Sequence, residues 1–285
     1  MKKIYAFLIA LMLCFTARAE VNFAYEAGAE VVSAYLWRGL YNGGLSFQPD
    51  LEIGYDGDLT SLRVGVWGSV GASDWKFVKG LAKMEGYNPN TYFVPEVDIV
   101  VNFNVGGLVL GATHYYYFGG SPFFNWSKFD PIEGSAGTSQ TEVTVGYDFL
   151  NLCELPLSIT WNTMVAGDDL VEDTQKNDGT YKRAFSTYIE AKYDQPLPYE
   201  MTLSLALGVS PWASDVYGNE KFAVTNISAR LEKEWEFDAC SLNLFAMGSI
   251  NTDKINKTNI FVWEAGDDKL YLQKLNGCIG LGIWF

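Results

Sequence analysis

"LSFQPDLEIGY", Leu45 to Tyr55, alternates apolar and polar residues from end to end. Leu45, Phe47, Pro49, Leu51, Ile53 and Tyr55 share one face, and Ser46, Gln48, Asp50, Glu52 and Gly54 share the other. Successive side chains of an extended chain point to opposite sides, so the segment is a strand with one greasy and one polar surface. "FVPEVDIVVNF", Phe93 to Phe103, repeats the design: Phe93, Pro95, Val97, Ile99, Val101 and Phe103 oppose Glu96, Asp98 and Asn102.

The same period recurs about twelve times, and it predicts strands at 29–38, 45–55, 61–71, 93–104, 107–118, 139–149, 156–166, 182–194, 200–210, 222–234, 238–250 and 274–285. Most are about ten residues or slightly longer, the length of a tilted strand crossing a bilayer. Strands of globular proteins average nearer five or six. Connections alternate as well. "GDLTS", "VGG", "NLCELP", "DQPLPYE" and "EWEFDA" are short, while the stretches near 72–92, 119–138, 167–181, 211–221 and 251–273 are long. Only "LYNGG", after the first strand, is short where the series calls for a long loop. Short turns at one end and long loops at the other are the pattern of a transmembrane barrel. The expected fold is therefore all-β, an antiparallel up-and-down barrel of about twelve strands, with both termini on the short-turn, periplasmic side.

The chain ends "GCIGLGIWF", with Ile279, Leu281, Ile283 and Phe285 on one face up to the last residue. In lipid every backbone group must be bonded, so the sheet must close and the last strand must pair with the first. Phe285 then falls in the lower aromatic girdle and is the expected membrane-assembly residue. A final outward aromatic also resembles the C-terminal signature of Gram-negative outer-membrane proteins. That resemblance implies the barrel-insertion machinery as an assembly partner.

At the other end, Lys2 and Lys3 precede an apolar run from Ile4 to Phe15, and Ala17-Arg18-Ala19 forms an A-x-A cleavage pattern. Residues 1–19 read as a cleaved secretory signal peptide, with 20–285 as a single barrel domain. Leu13 precedes Cys14, where a lipoprotein needs a small residue. Loss of the signal leaves 17 basic against 34 acidic residues, a net of −17, which repels nucleic acid. Three cysteines remain, Cys153, Cys240 and Cys278, so at most one disulfide is possible. There is no CxxC pair or His–Cys cluster, and neither a metal nor a cofactor is expected.

A secreted β-sandwich or lipocalin-like domain shares the alternation. Its solvent face usually carries Lys, Glu and Thr. Here the polar faces carry Gly, Ser, Asn, Asp and aromatics, which suit a crowded lumen; strand length and ordered loops favour the membrane too.

"VSAYLWRGLYNGGLSFQPDLEIGY", Val32 to Tyr55, followed by "VGVWGSVG", Val64 to Gly71, resembles the TorF-type porins. The matching residues are Ser33, Tyr35, Trp37, Arg38, Gly39, Gln48, Trp67 and Ser69, within the first quarter of the secreted chain. Family members often carry polar residues where this chain has Ala34 and Leu36. The resemblance implies an outer-membrane barrel that passes small solutes; it supplies no substrate.

Strand parity sends Asp50, Glu52, Arg63, Glu96, Asp98, Glu142, Asp148, Glu190, Lys192, Arg230 and Glu232 to the inside, and Arg38 joins them. These twelve are the candidate pore-lining residues. Acids outnumber bases, and acidic rings favour cations. Barrels of about eight strands are filled and those of about sixteen hold water, so twelve leaves the lumen undecided. A weakly cation-preferring porin is the expectation; a non-conducting adhesin or structural barrel, working through its long loops, is the alternative. Enzymatic function is not expected. The single histidine, His114, has Ala112 and Tyr116 two residues away rather than the serine of an outer-membrane phospholipase. Asp168-Asp169 and Asp267-Asp268 lie in expected loops, as omptin-type acids would. His114 reads more simply as a girdle residue. Phe123, Phe124 and Trp126 suit an interfacial belt and a stacking or constriction loop equally. The sequons at Asn125, Asn226 and Asn256 carry no further glycosylation cue.

Overall fold

Twelve antiparallel strands close on one another in the computed structural model, which describes residues 22–71, 96–117, 123–124, 139–172, 181–252 and 275–285. The expected signal peptide lies outside the described residues, as do Phe118, Trp126 and Asp267-Asp268. The wall is built from β1 (Asn22–Val32), β4 (Ser46–Asp56), β5 (Thr60–Gly71), β6 (Glu96–Val105), β7 (Leu108–Tyr117), β8 (Ser139–Asp148), β9 (Leu157–Gly167), β12 (Thr187–Leu197), β13 (Met201–Ser210), β14 (Ala223–Glu236), β15 (Ser241–Ile250) and β16 (Leu275–Trp284). Each strand pairs with its neighbours in chain order, and β16 returns to β1. Outside the wall lie two ribbons, β2 (Tyr35–Trp37) with β3 (Leu40–Gly43) and β10 (Leu170–Glu172) with β11 (Tyr181–Arg183), and one turn of helix, α1 (Leu150–Cys153).

The strands expected from periodicity match the wall with two corrections, the larger at the start. The first strand is Asn22–Val32 rather than 29–38, and it pairs with β4 over its whole length, from Asn22↔Asp56 to Val32↔Ser46. "NFAYEAGAEVV" alternates as the later strands do, but Ala27 and Ala29 leave the middle of its apolar face faint. Residues 33–45 leave the wall altogether. The connection that looked too short is thus a thirteen-residue excursion, and the short/long order of the loops holds from the first hairpin onward. Likewise the strand expected at 182–194 starts at Thr187, because Tyr181–Arg183 pairs with Leu170–Glu172 instead.

The outer face carries the apolar half of each alternation. Tyr25, Phe47, Leu51, Val66, Val145, Trp161, Leu207, Leu231 and Leu281 are all exposed, so the apolar belt runs around the barrel. A soluble monomer does not leave a patch of this extent in water. The inner face carries the polar half: Gln48, Ser69, Glu96, Asp98, Glu142, Asn162, Asn226, Asn243 and Asn276 are buried. Cys153, Cys240 and Cys278 are unpaired.

Closure is a short seam. β1 and β16 share five residue pairs, from Gly28↔Trp284 to Val32↔Gly280. Beyond them, Phe285 N–H donates to Ala27 O at 2.8 Å and Ala27 N–H donates to Phe285 O at 3.2 Å. At the other end Ser33 N–H donates to Ile279 O at 2.8 Å, and Ile279 N–H donates to Ser33 Oγ at 2.9 Å. The Phe285 ring itself points outward in line with Ile283 and Leu281. Deleting Phe285 removes two backbone bonds of the seam together with the ring. The expected outcome is a loss of folded, heat-modifiable protein on a gel, with Phe285→Ala intermediate because it keeps the backbone bonds. Normal folded yield after the deletion would contradict this role.

Candidate lumen site and its internal hairpin

The segment that leaves the wall turns inward. Trp37 pairs with Leu40 across a two-residue turn, Arg38-Gly39, in which both φ angles are positive (50° and 82°). That is the turn whose twist matches a tight hairpin, and it suits Gly at the second position. β2 alternates too, but both of its faces are used inside the barrel. Ala34 and Leu36 pack with Val32 against Phe245, Met247 and Cys278 on the inner face of β15 and β16. Tyr35 and Trp37 face the other way, with Tyr35 against Trp67 at 5.4 Å and Trp37 against Tyr115 at 5.7 Å between ring centroids. This accounts for the apolar Ala34 and Leu36: they sit on an apolar patch within an otherwise polar lumen.

Arg38, expected at the end of the wall strand 29–38, therefore does not belong to the wall. It stands at the hairpin tip, which spans the lumen to reach β8 and the β12–β14 side. The guanidinium donates to both Glu142 oxygens, at 2.6 and 2.8 Å, and to Tyr217 Oη at 2.9 Å. It also lies 4.6 Å from the ring centre of Trp37 and 4.8 Å from that of Tyr188. Tyr217, from the loop after β13, stacks on both Trp37 and Tyr188. Tyr115 Oη adds a third donor to Glu142 at 3.1 Å. Glu142 keeps only 1% of its side-chain exposure and Arg38 16%. A bidentate pair this enclosed is held by geometry, and removing one partner of such a pair costs about 3–5 kcal/mol. Gly39 closes the contact, since a Cβ there would overlap the Thr225 carbonyl oxygen.

The remaining charges fall into two groups. Arg63 pairs with Glu52 at 3.4 Å and with Asp56, Lys192 with Asp194 at 2.9 Å, and Arg230 with Glu30 at 3.5 Å and with Glu232. Asp148 stands at the short-turn rim and accepts from Leu150 N–H at 2.8 Å, starting α1. Glu190 accepts from Tyr188 Oη, and Glu96 from Tyr35 and Tyr117. Glu26, Asp50, Glu96, Asp98 and Glu190 have no basic partner among the described residues. Glu26, which precedes the strand expected at 29–38, and Glu30, which lies within it on the parity of Arg38, are inward charges outside the twelve candidates; in register they face Glu52 and Gln48. Tyr188 and Tyr217 carried no signal beyond being aromatic.

Above the wall, Asp168 and Asp169 follow β9, and Asp215 lies in the loop that carries Tyr217. Asp215 is pushed up to about 6, first by burial and then by the negative charges of Asp168 and Asp169. His114 and Tyr116 are on the outer face of β7, packed against Phe123 at 5.2 and 4.7 Å between ring centroids. His114 also bonds Thr141 Oγ1 at 2.9 Å and Phe123 O at 2.8 Å. Phe123 and Phe124 thus lie against the outside of the wall, as a belt, and do not fold into the lumen.

No protein-family model and no curated protein sequence matches the chain. The likeness to TorF-type porins therefore rests on the N-terminal residues alone. Among solved structures the chain is similar to the COG4313 outer membrane channel from Pseudomonas putida F1, at 12% identity over 93% of this chain and 94% of that one, with a TM-score of 0.40. It is also similar to Salmonella typhi OmpF in complex with daunomycin, at 8% identity over 93% and 97% of the two chains and a TM-score of 0.37. OprB from Pseudomonas putida at high pH gives 11% identity over 93% of each chain and a TM-score of 0.35.

A docked hairpin hides Arg38 from proteases. Limited trypsin digestion of the folded protein in micelles is expected to spare the bond after Arg38. Gly39→Val, which collides with Thr225, and Glu142→Ala, which strands the guanidinium, are both expected to expose it. Equal cleavage in the wild type and both variants would show that the tip is not held as described.

Proposed function

We propose that the protein is an outer-membrane channel for small solutes, narrowed by the β2–β3 hairpin and preferring cations. An apolar belt around a closed sheet fits hydrocarbon, and a closed sheet leaves no backbone group unbonded in it. The observation that carries the channel reading is the inner face, where, among the described residues, Glu26, Asp50, Glu96, Asp98 and Glu190 stand beyond the acids that the inner bases neutralise. A purely structural barrel gains nothing from an excess of like charges inside, since like charges repel strongly between low-dielectric walls. A channel gains selectivity from it. The alternative, a non-conducting barrel that works through its long loops, draws on the hairpin that fills part of the lumen.

Reversal potentials across a potassium chloride gradient in planar bilayers test the proposal. The expected shift is toward cation selectivity, larger at low salt because screening weakens there. Neutralising Glu26 and Asp50 together is expected to reduce the shift. Anion preference, or no current, would overturn the reading.

The same recording made between pH 7 and pH 5 carries a sign. Asp215 binds a proton as the pH falls through about 6, so negative charge at the mouth is lost and cation preference should decline. Because the folded state holds that proton more tightly than the unfolded chain, the loop carrying Asp215 is relatively more stable below this window and loses that contribution as the pH rises through it. Selectivity that strengthens on acidification would contradict the assignment of the mouth charges.

A further inference from the structure

Between β2 and the wall the hairpin leaves a cavity of about 420 Å³. Small-molecule sites range from roughly 300 to 1,000 Å³, so the space is of ligand size. Its wall is set by register. Asp50 on β4 is paired with Trp67 on β5, and Trp67 with Asp98 on β6, so two carboxylates flank one indole in a single row. Neighbouring strands are about 4.8 Å apart, which puts the two aspartates roughly 10 Å from each other at the backbone. Two residue pairs nearer the loops is Gln48, on the same face as Asp50, and Tyr115 continues the row beyond Asp98.

Two buried polar atoms in this wall have nothing to bond. Asp98 is 6% exposed and its Oδ1 accepts from no group among the described residues; Gln48 is 7% exposed and its Nε2 donates to none. A buried polar atom without a partner is destabilising, so such atoms mark a place where a bonding group is missing. One orphan is a carboxyl oxygen and the other an amide N–H donor, and both residues border the same cavity. Across it, Arg230 lies 3.6 Å from the ring centre of Phe245, with its charge taken up by Glu30 and Glu232. Acidic side chains therefore outnumber the single base around the cavity, and aromatic rings form much of its wall.

We propose that this cavity binds a small organic amine. Its ammonium lies over Trp67 between Asp50 and Asp98, its apolar body lies against the aromatic walls, and a hydrogen-bond acceptor on it meets Gln48 Nε2. Carboxylates and an indole face are both favourable surroundings for an ammonium ion, and desolvation strengthens each. An anion would meet two carboxylates at close range. The inference builds on the channel reading, since the cavity lies in the lumen, but binding requires no current.

Purified, folded protein in detergent is titrated calorimetrically with tyramine, with 4-ethylphenol as its neutral counterpart and with 3-(4-hydroxyphenyl)propionate as an anion. Tyramine is expected to bind about tenfold or more tightly than 4-ethylphenol, from the charge-assisted contact alone. The propionate is expected not to bind. Asp98→Asn and Asp50→Asn should each bring tyramine toward the affinity of 4-ethylphenol. Asp98→Asn keeps the shape of the side chain and gives up only the acid, so its heat-modification temperature should hold or rise while binding is lost, which a merely structural aspartate would not show. Equal binding of the three probes, or tyramine affinity unchanged in the double variant, would overturn the proposal and leave Asp98 satisfied by a proton or water. Tyramine binding without conductance would sink the channel and keep the site. Cation-selective conductance without tyramine binding would do the reverse.

Discussion

The seam between β1 and β16 is the constraint from which the other features follow. A strand edge left open in hydrocarbon would expose a row of unbonded backbone groups, so the first and last strands must meet. Closure gives every strand an inside and an outside. It sends Leu281 and Ile283 outward, and it turns Phe245, Met247 and Cys278 toward the axis, where they form an apolar patch in a polar space. The hairpin uses that patch. Gly280 contributes to the fit, since a Cβ there would collide with the Phe245 ring.

The hairpin in turn depends on one charge. Arg38 is carried across the lumen on a turn in which both φ angles are positive, and it meets Glu142 with two parallel bonds. Stacked rings of Trp37, Tyr217 and Tyr188 surround it and limit water. An apolar anchor at the base and a charged latch at the tip fix the hairpin at both ends. Asp50 and Asp98, which have no basic partner among the described residues, line the cavity beside it.

Much of this was legible in the sequence, and the limits have physical causes. Period two located eleven of the wall strands to within a few residues, because lipid outside and water inside enforce the alternation. The start was hidden for another reason. "AEVVSAYLWR" runs from the wall into the hairpin with apolar residues at both parities and no Gly or Pro to mark the departure, since a strand packed between two inner surfaces is apolar on both sides. Arg38 was singled out, but its partner is 104 residues away and no local pattern connects them. Asp50 and Asp98 were both expected inside. Their arrangement about Trp67 required the register of β4, β5 and β6, which spacing alone does not supply. The inward direction of Tyr115 and the outward direction of His114 follow from parity, whereas the cover of Phe123 over His114 does not.

The central claim is that an acidic conduit runs through the barrel and that the hairpin sets its width. The most direct measurement is single-channel conductance in planar bilayers for the native chain and for a chain in which residues 34–44 are replaced by a two-residue Asn-Gly turn, both shown to be folded by heat modifiability. The account predicts a small, cation-selective conductance for the native chain and a several-fold larger one, still cation-selective, without the hairpin. Equal conductances, or no current from the chain that lacks the hairpin, would contradict it.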